Sequence, residues 1–279
     1  MRLVARFIEL CYLFMCVWCD YDCCTIKCNG EKHTMCIFSS VSSTCKAYRK
    51  KTFSQSEKQF ILDEHNRYRR IIATGKKEKE DHPLQPTASN MLELVWDKEL
   101  AAIAQRWADQ CKFQHDKCRD SKSFSSGQNL AIKWSTGRFE MPIKDFIFGW
   151  YDEVKKFNTE SVNRYTFDTR SGHFTQMIWA KTQYVGCGAS YYEDSTLVEN
   201  TQVAFLVCNY GPAGNYETMK IYEIGEPCST CPAGTKCKDE LCSTGKTGDM
   251  ADIELNGVEK SASGISISKF LLVIFVYFF

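Results

Sequence analysis

Three absences frame this sequence. No Asn-X-Ser/Thr sequon occurs in its 279 residues, so an N-linked glycan has no acceptor. None of the five histidines, His33, His65, His82, His115 and His173, has another four positions away, which excludes the HExxH helix of a zinc metalloprotease. Apolar runs of about 20 residues, the length that spans a bilayer as a helix, are also missing. Charge of one sign is not in excess, with 35 Lys and Arg against 34 Asp and Glu. Nothing in that balance points to nucleic acid, whose phosphates call for clustered cations. The runs RKK at 49–51 and KKEKE at 76–80 are short, and the second alternates in sign as a solvated loop does. No internal repeat is present, which excludes a solenoid.

Cysteine, by contrast, is plentiful. The first 19 residues, MRLVARFIELCYLFMCVWC, combine early arginines with a short apolar run and read as a secretory signal cleaved near Cys19. Of 16 cysteines, thirteen follow that segment, at 23–45, 111, 118, 187, 208 and 228–242. So many thiols imply an oxidising compartment, where each native bridge contributes about 2–4 kcal/mol. Thirteen is odd, and the adjacent Cys23 and Cys24 suggest that one of them is left over, as a free thiol or a link to a second copy. The closing FLLVIFVYFF, preceded by the small and polar NGVEKSASGISISK, resembles a glycolipid (GPI) anchor signal with attachment between Asn256 and Ser263. A simply retained tail is the alternative.

Periodicity divides the remainder. Residues 54–73 repeat apolar positions at helical spacing behind a capping-box pattern at Ser56 and Gln59. Residues 74–90 read as a loop. Asp97 caps a second helix with Leu100, Ile103, Ala104, Trp107 and Cys111 on one face, and a third runs from about Pro142 to Phe157. SSGQNLAIKWS reads as a loop and a short strand. The period then changes to two over Gln183–Tyr192 and Gln202–Tyr210, with Cys187 and Cys208 placed to bridge the pair. Helices and a mostly antiparallel sheet predict an α+β, three-layer α-β-α sandwich. EPCSTCPAGTKCKDELC at 226–242 reads as a separate small unit closed by two disulfides rather than by zinc, with three connectivities open for Cys228, Cys231, Cys237 and Cys242. The domain order is therefore a signal at 1–19, a cysteine-rich extension at 20–53, a core at 54–225, a hinge-like segment at 226–243, and a linker with an apolar tail at 244–279.

GHFTQMIWAKT at 172–182 and FLVCNYGPAGNY at 205–216 resemble the two signature motifs of the CAP superfamily, the cysteine-rich secretory, antigen-five and pathogenesis-related-one proteins. DEHNRYR, FQHDKC, GQNL and WYDEV match in the same order, and the resemblance covers residues 54–225. The N-terminal CTIKCNGEKHTMC is similar more narrowly to insect venom allergen antigen-five. That likeness implies bridges Cys24 to Cys36, Cys28 to Cys118, Cys45 to Cys111 and Cys187 to Cys208, with Cys23 the orphan.

The resemblance also implies a central cleft at His115, Gln128, Glu153 and His173. At position 128 the family's glutamate is replaced by an amide, which hydrogen-bonds but does not exchange a proton at ordinary pH. Glycoside hydrolysis wants two carboxylates, and catalytic zinc wants three protein ligands and an open position. Ser171 lies near His173, yet nothing supplies an oxyanion hole. The expectation is accordingly a non-enzymatic extracellular binding protein, allergen-like, that requires no cofactor. Two readings of the cleft stay open, zinc or another divalent cation on His115 and His173, or a hydrogen-bonded polar floor. A metal-dependent extracellular hydrolase is the alternative function. The family further implies sterol ligands, here at a loop carrying Phe157, Tyr165 and Phe167 for which an ordinary loop pinned by its aromatics is the other reading, fatty-acid ligands in a channel between helices, and an extracellular protein partner. His65, Trp107, Trp150 and Trp179 read as core.

Overall fold

A computed structural model describes residues 23–194 and 201–248. The expected signal sequence and the anchor-like tail lie outside the described residues. The extension contains a small hairpin, β1 (Lys27–Cys28) with β2 (Glu31–Lys32), and one helical turn, α1 (Thr34–Ile37). It ends in strand β3 (Lys46–Lys51), which periodicity alone did not show. The core follows as α2 (Gln55–Ala73), β4 (Val95–Trp96), α3 (Lys98–Ala108), β5 (Gly127–Ser135), α4 (Ile143–Asp152), α5 (Gly172–Met177), β6 (Tyr184–Glu193) and β7 (Gln202–Gly211). Two short strands, β8 (Lys236–Lys238) and β9 (Leu241–Ser243), complete the chain.

The central sheet runs β3-β6-β7-β5 with every neighbour antiparallel, and β4 joins β6 in parallel. Side chains alternate across a strand, so β7 sorts the core into two halves. Val203, Phe205 and Val207 pack with Ala104, Trp107 and Ala108 of α3. Ala204, Leu206, Cys208 and Tyr210 join the cluster built by α2, α4 and α5. Helices therefore cover both faces, which is the three-layer sandwich. On the α3 side Gly186 and Gly188 of β6 let the helix touch strand backbone, because a Cβ at either would collide with the main chain of Ala101 or Gln105. Gln105 then bonds Ala189 through both ends of its amide, at 2.9 and 3.1 Å.

Several local readings shift in the structure. The capping box of α2 is Ser54 with Glu57, two residues before the predicted pair. Glu57 accepts from the Ser54 N–H at 2.8 Å and from Lys51 Nζ at 2.6 Å, so a tertiary ion pair chooses between two overlapping Ser-x-x-Glu/Gln patterns. Asp97 does cap α3, accepting from Leu100 N at 2.8 Å. That helix ends at Ala108, however, and Cys111 sits beyond it at φ 53°. The expected short strand after Gly127 is nine residues long. The hinge-like segment is docked rather than separate. Cys242 N donates to Met91 O at 2.8 Å, Glu93 N donates to Cys242 O at 3.0 Å, and Leu241 is fully buried in the main core.

One side chain locks the core to the site. Arg69 of α2 is wholly buried and gives its donors to five carbonyls, those of Leu92, Met177, Trp179, Ala180 and Thr182, at 2.8–3.2 Å. Every N–H finds an acceptor, so the desolvation of the cation is offset without a carboxylate. Burial still draws its pKa down to about 9. The carbonyls it gathers close the turn that follows α5.

Candidate functional site

His173 is the second residue of α5, and Glu153 follows the last residue of α4. One carboxylate oxygen of Glu153 accepts the backbone N–H of His173 at 3.0 Å and of Phe174 at 3.1 Å. Its other oxygen accepts from His173 Nδ1 at 2.6 Å. Two otherwise unpaired amides of a helix start and one imidazole thus share a single anion. One turn before Glu153, Trp150 lies nearly parallel to the His173 ring, centroids 6.1 Å apart. Its indole N–H is fixed on Leu130 O at 3.1 Å.

His115 arrives from the opposite wall, on the loop between α3 and β5. Its Nδ1 meets Gln128 Oε1 at 2.8 Å. Gln128 lies on β5 and gives its amide N–H groups to Asp116 Oδ1 and Asn209 Oδ1, both at 3.0 Å. Asn209 stands directly across the ladder from Gln128 and is itself held on Leu100 O at 3.3 Å. With both acceptors in place, only the oxygen of Gln128 faces His115, so Nδ1 of that ring is the donor. One edge of His115 opens to solvent. Desolvation of the other edge holds its pKa below the ordinary value, and Arg119 and His173 act in the same direction against Gln128 and Asp116. Gln128 and Asn129, adjacent on β5, hold the His115 ring and the His173 carbonyl respectively, which brings the two histidines to one end of that strand.

The structure therefore brings His115, Gln128, Glu153 and His173 together as two imidazole pairs. Each Nδ1 donates to a protein acceptor, and among the described residues neither Nε2 has a protein partner. The remaining histidines are structural. His65 is fully buried, donates from Nδ1 to Ile61 O at 2.7 Å and accepts at Nε2 from Tyr210 Oη at 2.8 Å. Burial lowers its pKa to about 4. His82 is buried against Asp152 at 2.9 Å, and His33 caps α1 while its Nε2 meets Asp120 O at 3.0 Å.

Sequence reasoning missed the supporting residues. Asn129 donates to His173 O at 3.1 Å and to Tyr210 Oη at 3.3 Å, which ties the cleft to His65. Asn129, Asp116 and Asn209 lie inside the motifs GQNL, FQHDKC and FLVCNYG, so their positions were marked although their partners were not.

Two expectations need correction. Phe157 and Tyr165, offered as lipid-contacting residues, instead face inward on Phe174 and Trp179, with centroids 5.3 and 5.6 Å apart, as the reading of a loop pinned by its aromatics has it, and only Phe167 of the three is exposed. Cys23, expected to be left over, is buried and disulfide-bonded. The other twelve described cysteines pair among themselves. The bridges are Cys24–Cys36, Cys28–Cys118, Cys45–Cys111 and Cys187–Cys208, with Cys228–Cys237 and Cys231–Cys242 in the hinge-like segment. The sulfurs of Cys228, Cys231 and Cys242 lie close enough to hold a metal, but oxidation removes the thiolates a metal needs.

The profile of the cysteine-rich secretory protein family, CAP, matches residues 62–210. The chain belongs to the CAP family. This CAP chain is 42% identical over 200 residues to a venom allergen 3 homolog of Dinoponera quadriceps, covering 70% of this chain and 85% of that one. It is 42% identical over 207 residues to venom allergen 5.02 of Dolichovespula maculata, covering 72% and 93%. Among solved structures, the crystal structure of NaASP2 with Zn2+ superposes with a TM-score of 0.57 at 30% identity, covering 68% of this chain and 96% of the other. The CAP cleft is thus set in a venom-allergen-5-like chain. No helix among the described residues is long and apolar enough to cross a membrane.

Proposed function

We propose that this CAP protein works outside the cell as a non-enzymatic binding protein whose cleft takes a divalent cation, zinc first, on Nε2 of His115 and Nε2 of His173. The observation that carries the reading is the commitment of both Nδ1 atoms. An imidazole whose Nδ1–H is held by an acceptor has its tautomer set and its remaining nitrogen made a better donor to metal. Two neutral imidazoles suit zinc, and solvent or a bound partner would complete the coordination. The crystal structure of the similar NaASP2 with Zn2+ supports the choice of ion.

The donor set argues against hydrolysis. Gln128 does not exchange a proton, and Glu153 already accepts three hydrogen bonds. The six described bridges favour an extracellular setting, in keeping with the venom allergens to which the chain is similar. The glycolipid anchor read from the tail belongs to this reading too, and release from cells by a phosphatidylinositol-specific phospholipase tests it. Lipid capture at residues 157–167 is not included, because only one of the three aromatics there reaches solvent.

Titration calorimetry of zinc into metal-free protein is the test. Saturable binding is expected in the native chain, with loss on His115→Ala and on His173→Ala. Equal affinity in all three proteins would mean that zinc sits elsewhere, and no binding in any would leave the cleft as a polar brace.

A further inference from the structure

The CAP core supplies three of the four cleft residues on regular elements or their ends. His115 alone comes from a loop, and that loop is tied to the core through Trp107 and Gln128 and to the N-terminal extension through two bridges. Cys111 and Cys118, which flank it, are bridged to Cys45 and Cys28 of the extension. Between them sits Asp116, whose side chain is 1% exposed. A carboxylate so deeply placed must find donors, and it finds three. Arg119 Nε and Gln128 Nε2 donate to Oδ1, and the Thr34 hydroxyl donates to Oδ2. Thr34 belongs to α1 of the extension, is 1% exposed, and its N–H is fixed on Cys118 O at 2.8 Å.

We infer that Asp116, oriented by Thr34 of the extension, is a positioning residue of the cleft: it turns the Gln128 amide so that its oxygen faces His115, and so keeps the His115 proton on Nδ1 and Nε2 open. The chain of contacts runs from Thr34 through Asp116 and Gln128 to His115, and each link admits one direction of donation. Thr34 and Arg119 are donors, so both Asp116 oxygens accept. Gln128 must then present its nitrogen to Asp116 and Asn209, which leaves only its oxygen for the imidazole. A reversed Gln128 would set its N–H groups against His115 and leave two buried oxygens facing a third. Replacing Gln128 by a carboxylate would do the same to Asp116 and Asn209, which accounts for the amide at a position where the family resemblance implies glutamate. In this arrangement the extension is part of the site and not only a brace for the fold.

As a statement about metal uptake this rests on the zinc reading, but the tautomer is measurable without metal. In the full chain, freed of metal and held near neutral pH, two-bond 1H–15N correlation spectra report which nitrogen of each imidazole carries the proton. The expected result is His115 protonated on Nδ1. Asp116→Ala should shift population to the Nε2–H form and weaken zinc binding about fivefold, the equivalent of about 1 kcal/mol for one net hydrogen bond. Since Asp116→Ala also strips Arg119 of its partner and risks unfolding, Thr34→Val and Thr34→Ser provide a milder pair. The valine variant should lose part of the Nδ1–H population and the serine variant should retain it. A native His115 carrying its proton on Nε2, or identical spectra for Thr34→Val and the native chain, would overturn the inference. A native Nδ1–H tautomer without zinc uptake would support the positioning and sink the metal reading alone. Zinc uptake by a ring protonated on Nε2 would do the reverse.

Discussion

The two walls of the cleft are built by different means. On one, His173 rises from a helix packed into the main core, stacks on Trp150 and pairs with a carboxylate that also caps that helix. On the other, His115 sits on a loop tied by two bridges to the extension and pairs with an amide. The first wall draws its rigidity from apolar burial, which any folded CAP core provides. The second depends on two cross-links to the extension and on one buried carboxylate, Asp116, that Thr34 of the extension orients. One cleft is thus half core and half loop tied to an appendage, and the halves should fail under different treatments.

Removing the longest bridge should produce the largest effect. Cys28→Ala with Cys118→Ala opens a link between residues 90 apart, and the lost constraint on the unfolded chain is about 4 kcal/mol, readable in guanidinium unfolding. Hydrogen exchange should then show the 111–118 loop released while α5 stays protected. Equal release of both would erase the contrast.

Acidification should act first on the core-built wall. His65 has its pKa lowered by burial to about 4 from 6.5, so below pH 6.5 the unfolded chain takes up a proton that the folded chain refuses. The stability linked to this group is complete above pH 6.5 and is lost progressively as pH falls towards 4, where the loss reaches about 3 kcal/mol. Unfolding measured from pH 7 to 4 should show that slope, and a His65→Gln variant should flatten it.

Smaller effects separate the two pairs. Glu153→Ala leaves two helix-start amides and the His173 ring without their acceptor, at a cost of about 2 kcal/mol. Gln128→Leu removes one donor from Asp116 and one from Asn209 and costs about 1 kcal/mol, since His115 opens to water. Thermal unfolding of the two variants should rank them in that order. The reverse ranking would mean that the loop wall, rather than the core wall, bears more of the stability.

Much of the sheet was readable in the chain because period-two alternation from Val185 and Val203 onward has one geometric solution, and Asp97 declared its helix by capping it. Ser54 and Ser56 show where such reading stops. Both begin a Ser-x-x-Glu/Gln pattern, and only the ion pair from Lys51 to Glu57 favours the first. Strand β3 escaped notice because Lys46–Lys51 is charged at an edge and its pairing with β6 carries a register shift. The inward turn of Phe157 and Tyr165 was equally hidden, since an aromatic in a polar loop has the same sequence signature whether it meets solvent or Trp179.

By itself the amino-acid sequence determined the family and most of the order of elements, because motifs and periodicity are local to the chain, and the cleft residues followed from it only as what the family resemblance implies. Only tertiary structure decided how the cleft residues are oriented. Whether Gln128 shows an oxygen or a nitrogen to His115 depends on Asp116 and Asn209, one nearby in the chain and one 81 residues away. The direction of a hydrogen bond follows from every other donor and acceptor enclosed with it, and that enclosure exists only once the chain has folded.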